Sequence, residues 1–160
     1  MCRALSGGAT GWSSFIFIAL QNTGVSYGCY MLGLSNGDPA HIELRKGTLE
    51  TGLPDETPGG LNKILRQSTG TVAVGTWVHL RLEMVQNDNG DVVLNCYQNV
   101  GSVTSPTWEA IAGMSQYIDD ALGVNTGSAP YTSGRCGFGA AFADSARVAL
   151  FDQLEIARQL

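Results

Sequence analysis

The sequence predicts an all-β fold: one domain over residues 1–160, built as two antiparallel sheets packed into a sandwich. Three observations carry this expectation. Strand-like apolar runs recur at intervals of about ten residues, separated by clusters of Gly, Asn, Asp, Ser and Pro. Glycine supplies 21 of 160 residues, about twice its average share of roughly 7%, which fits many tight turns. No segment sustains a 3.6-residue apolar period over two helical turns.

The elements follow in order. Trp12–Leu20 is a first apolar run closed by Gln-Asn-Thr-Gly, and Ser26–Leu34 is a second closed by Ser-Asn-Gly-Asp-Pro, a strong turn signal. His41–Lys46 alternates, with Ile42 and Leu44 facing inward. Residues 47–60 read as a long surface loop. Leu61–Arg66 reads as a strand, with a short helix as the alternative, and Thr71–Val74 as a brief strand. Trp77–Val85 alternates almost without error, with Val78, Leu80, Leu82 and Met84 on one face and His79, Arg81 and Glu83 on the other. Gln86–Gly90 makes a turn and Asp91–Gln98 returns with Val92, Leu94 and Cys96 inward; Asn89-Gly90 is the strongest hairpin signal in the chain. Gly101–Gly134 is irregular: Trp108–Ile111 offers a strand and Met114–Gly123 one turn of helix. Arg135–Phe142 and Arg147–Arg158 close the chain as two further strands.

Composition narrows the function. Nine Lys plus Arg stand against fourteen Asp plus Glu, a net charge of −5, and no stretch concentrates basic residues. Nucleic-acid binding depends on phosphate contacts from a basic stripe, so this class is disfavoured, as is an anionic membrane surface. Charged residues make up only 14%, against about 25% in an average soluble domain, so the exterior is largely Ser, Thr, Asn, Gln and Gly. Such a surface suits neutral polar partners or copies of the same chain. Cys2, Cys29, Cys96 and Cys136 form no C-x-x-C pair, which removes zinc-ribbon and thioredoxin readings. The last three lie in apolar runs and are expected as free buried thiols, pointing to a reducing compartment. The first residues lack the apolar core of a signal peptide, and Trp12–Leu20, interrupted by Ser13-Ser14, is too short to span a bilayer.

Two segments carry a resemblance. Gly75-Thr-Trp-Val-His-Leu-Arg-Leu-Glu83 resembles the Gly-x-Trp strand of the concanavalin A-like lectin/glucanase (laminin-G-like) domains. Gly134–Gly139 followed by Val148–Ile156, with its Phe151-Asp152 pair, resembles the closing strands of the same superfamily. The resemblance implies a two-sheet antiparallel jelly roll. Trp77 would cap the sandwich edge, and Asp152 would accept backbone hydrogen bonds.

Catalytic constellations are not apparent. Glycosidases of that superfamily carry paired carboxylates, about 5–5.5 Å apart in retaining enzymes, yet no Glu-x-Asp occurs, and Glu43, Glu83 and Glu155 fall singly on outward strand faces. His41 and His79 lie in strands without a nearby partner, and there is no nucleophile elbow or P-loop. Asn87–Asp91 has the oxygen content of a calcium loop but lacks the remaining positions of an EF-hand, and it reads as a turn. No cofactor is expected, calcium being the one candidate. One group suits a sugar or calcium-bridged sugar site: Trp108, Tyr117, Asp119, Asp120, Asn125 and Tyr131, which combine aromatic faces with carboxylates and an amide.

These readings favour a non-enzymatic protein. Jelly rolls of this kind resemble bacteriophage virion components, capsid decorations or tail-associated domains. That resemblance implies residence in a particle assembled in the host cytoplasm, packing against other virion proteins and copies of itself, and adhesion to a cell-surface glycan. A carbohydrate-binding, lectin-like module is the alternative.

Overall fold

The computed structural model describes residues 2–3, 12–22, 27–35, 39–48, 63–73, 75–114, 116–120 and 129–139. These hold eleven strands: β1 (Cys2–Arg3), β2 (Trp12–Asn22), β3 (Tyr27–Ser35), β4 (Ala40–Thr48), β5 (Lys63–Val72), β6 (Trp77–Val78), β7 (Leu80–Gln86), β8 (Val92–Asn99), β9 (Trp108–Ala110), β10 (Tyr117–Asp119) and β11 (Arg135–Gly139). Five form one antiparallel sheet in the order β11-β2-β3-β4-β5. A second sheet has the order β10-β8-β7, with β9 also paired to β8. β1 and β6 make a small antiparallel ladder. The architecture is all-β and sandwich-like, and no helix among the described residues is long and apolar enough to cross a membrane.

The core lies between the sheets. Tyr30, Leu32 and Leu34 of β3 and Ile42 and Leu44 of β4 face Leu80 of β7 and Val92, Leu94 and Cys96 of β8 in one buried cluster. Each buried aliphatic side chain contributes roughly 1.5–3 kcal/mol relative to exposure. The alternation read in β7 and β8 therefore holds, because their outer face meets solvent. β2 and β3 read instead as near-continuous apolar runs, and the structure explains why. The reverse face of their sheet is buried too, with Phe15, Cys29 and Met31 at 3%, 0% and 0% exposure. A strand covered on both sides has no polar face to alternate with.

Several sequence expectations are corrected. Residues 63–66 and 71–72 of two expected strands belong to one strand, β5, and the strand expected over Trp77–Val85 breaks at His79, where pairing passes from β1 to β8. The helical turn expected within Met114–Gly123 gives way to strand β10, which adds to the free side of β8 beyond β9. The hairpin expected at Gln86–Gly90 forms, with Gln86 paired to Val92. The turn closes from the Gly90 N–H to the Asn87 carbonyl, and only Gly90, at φ 86°, takes the left-handed region after it. Gly47 and Thr48, expected in the long loop, end β4. The rest of that loop, with Glu50, Asp55 and Glu56, and the closing strand with Phe151-Asp152 and Glu155, lie outside the described residues. Trp77 is 41% exposed on the β1–β6 ladder.

Candidate functional site

Register decides where the candidate residues point. Tyr117 pairs with Leu94 and Asp119 with Val92, so both side chains enter the core, while Ile118 between them faces out. On the opposite sheet Tyr30 and Lys46 are direct cross-strand partners of β3 and β4 on the inner face. The two sheets meet here in a polar knot. Tyr30 Oη donates to Asp119 Oδ2 at 2.5 Å, and Lys46 Nζ stands 2.7 Å from the same oxygen. Lys46 Nζ also donates to the Ala129 carbonyl at 2.9 Å, and the Tyr131 N–H donates to Tyr30 Oη at 3.0 Å. The side chains of Lys46 and Asp119 are 3% and 0% exposed.

Aromatic rings enclose the ammonium. The Tyr30 and Tyr131 centroids are 5.5 Å apart, and Lys46 Nζ lies 5.9 and 5.1 Å from them, within cation–π range. Gly28 makes the seat for Tyr131, since a Cβ at residue 28 would come within 2.3 Å of its ring. Burial, reinforced by the hydrogen bond to the Asp119 carboxylate, raises the Tyr30 hydroxyl far above the ordinary phenol range. Burial also raises Tyr131 and Tyr117, with the Asp119 charge adding to both. Tyr30 therefore stays a neutral donor, and the Asp119 oxygen that it shares with Lys46 is committed to structural partners. The chemistry available to this arrangement is cross-sheet adhesion.

The five candidate residues that are described do not converge on one site. Asp119 and Tyr131 share the knot, and Tyr117 lies beside it with the Arg66 guanidinium 4.7 Å over its ring. Asp120 is half-buried next in the chain, and Asn125 lies outside the described residues. Trp108 pairs with Asn99 and so stands on the outer face of the second sheet. Sequence reasoning missed Tyr30 and Lys46. The signal was present, because Lys46 continues the Ile42, Leu44 alternation and shares their inward face.

Other sequence readings also change. Glu43, expected on a solvated outward face, is 3% exposed. It accepts from Arg45 at 2.6 Å and from Gln67 at 2.9 Å on the reverse face of the five-stranded sheet. Glu83 pairs with Arg81. His41 is half-buried with Nδ1 3.2 Å from the Ser68 carbonyl. Cys29 and Cys96 are buried free thiols, pushed up to about 12 by burial, whereas Cys136 is free and exposed. In the Asn87–Asp91 loop, Asn87 Oδ1 accepts the Asn89 and Asp91 N–H groups while its Nδ2 donates to Asp91 Oδ2, a self-satisfied turn. Among the described residues no three His, Cys, Asp or Glu side chains cluster as a metal site. No family model matches the chain, and neither a curated protein nor a solved structure matches it at a significant level.

Proposed function

We propose that this chain is a non-enzymatic structural domain of a bacteriophage particle, a capsid-decoration or tail-associated jelly roll of the concanavalin A-like kind. It would act by packing against other virion proteins and against copies of itself. The observation that carries this reading is the fate of Asp119. Asp119, one of the two carboxylates of the candidate sugar site, is fully buried and bonded to Tyr30 and Lys46 across the two sheets. Topology is compatible with the jelly-roll part: after the chain has built the second sheet, β11 comes back to lie beside β2 at the edge of the β2-β3-β4-β5 meander. The surface supports packing, since Ile64, Val85, Val100, Ile118 and Phe138 are each 44–55% exposed and offer apolar contact points.

Sedimentation of the full chain, together with its recovery from purified particles, tests the proposal. The expected result is a stable oligomer that stays with particles through a density gradient. A monomer that is absent from particles overturns it.

A further inference from the structure

We propose that the side chains of Lys46 and Asp119 condense into an intramolecular amide, a covalent bond between the two sheets that the protein forms on itself. Both attachment points are rigid. Lys46 lies on β4 between Tyr30 of β3 and Lys63 of β5, and Asp119 lies on β10 opposite Val92 of β8. The amine nitrogen stands 2.7 Å from Asp119 Oδ2, and the two side chains are 3% and 0% exposed. Reactants held in contact in this way reach effective concentrations of about 10⁵–10⁸ M. The sequence separates the two residues widely, so the fold alone creates the encounter.

Burial supplies the driving force. In water a carboxylate and an ammonium are each well solvated, which favours the separate ions over the amide. In the core that solvation is lost, and a desolvated ion pair recovers it only in part. An amide carries no charge and asks only for hydrogen bonds. The Ala129 carbonyl, which already accepts from Lys46 Nζ at 2.9 Å, is placed to accept from the amide N–H. The Tyr30 and Tyr131 rings, with centroids 5.9 and 5.1 Å from Nζ, shield the bond from the water that would reverse its formation.

The step balances without any outside reagent. One ammonium proton passes to the Asp119 carboxylate, which leaves a neutral amine beside a carboxylic acid. The Nζ lone pair then attacks Cγ, a second proton leaves the nitrogen, and the Cγ–Oδ2 bond breaks as Oδ2 departs in a water molecule. The last proton stays on the amide nitrogen. Tyr30 is the relay: its Oη donates to Oδ2 at 2.5 Å and gives that proton to the departing oxygen while taking one from Nζ. The transfer is concerted, so the phenol remains neutral, and the Tyr131 N–H, 3.0 Å from Oη, steadies the oxygen during it.

Intact mass spectrometry of the full chain under denaturing conditions, after prolonged incubation of the folded protein at neutral pH, tests the proposal. The chain is expected to be lighter than its sequence requires by one water, about 18 Da. Proteolysis followed by fragmentation should yield a branched peptide joining the Lys46 and Asp119 segments. The full sequence mass overturns the proposal and leaves a simple ion pair, as does a water loss that maps to any other residue. The parent chain decides this alone, whether or not a variant folds. Lys46→Arg keeps the positive charge without a nucleophilic amine, so it should show the full mass; a water loss that persists in it also overturns the proposal. Tyr30→Phe keeps the ring and removes the relay, and conversion of freshly made chain should slow by about 100-fold. An unchanged rate in that variant overturns the role given to Tyr30.

Discussion

Lys46 and Asp119 were drawn out of water together, with Lys46 Nζ 2.7 Å from Asp119 Oδ2. Removing one partner takes away the nearest opposite charge of the other, and breaking a buried ion pair from one side costs about 3–5 kcal/mol. Asp119→Asn and Lys46→Met are each predicted to destabilise by that amount. Lys46→Met combined with Asp119→Leu is predicted to cost clearly less than the sum of the single changes, because no charge remains to be solvated. Urea denaturation of the four-member cycle measures this; strictly additive losses would mean that the pair is uncoupled. Tyr30 shows the same logic in neutral form. Its hydroxyl donates to Asp119 and accepts from the Tyr131 N–H, so neither polar function is buried unmet.

At the scale of the element, the β7–β8 hairpin shows how one side chain organises a turn. Asn87 Oδ1 caps two backbone N–H groups and Nδ2 holds Asp91. Asn87→Ala removes all three contacts in a half-exposed loop, and a loss of about 1–2 kcal/mol is expected. The denaturation midpoint should fall with an unchanged m-value; no shift would show that water replaces Asn87 without cost. This hairpin was also the most legible element in the sequence, since both of its strands have one wet face and one dry face. β9 was read at Trp108–Ile111, whereas β10 was hard to read, because a three-residue strand leaves too few positions for a period to register. Tyr117–Asp119 reads as polar and irregular, and pairing with β8 alone makes it a strand.

Across the whole molecule, two buried thiols and a buried phenol tie stability to pH. Burial lifts Cys29 and Cys96 from an ordinary value of 9.0 to about 12, and Tyr30 rises from 10.0 in the same direction. The folded state thus keeps protons that the unfolded chain releases. Stability from these groups is complete below pH 9.0 and is lost as pH climbs from there toward 12. The urea midpoint is expected to drop between about pH 9 and about pH 10.5, and Cys29→Ala with Cys96→Ala should flatten that slope. An equal slope in the variant would assign the alkaline loss to other groups.

The sequence by itself determined the strand class, the inward faces of β4, β7 and β8, and the position of the central hairpin. Those properties follow from alternation and turn chemistry, which act over a few residues. The partners of Asp119, the burial of Glu43 and the exposure of Cys136 were decided only by tertiary structure. So was the separation of Trp108 from Tyr117, Asp119 and Tyr131 onto opposite sides of one sheet. The physical reason is that parity along a strand says which residues share a face, whereas the identity of the inner face depends on which strands pair and what lies across the core. Asp119 sits 89 residues from Tyr30 in the chain, and no local pattern links them.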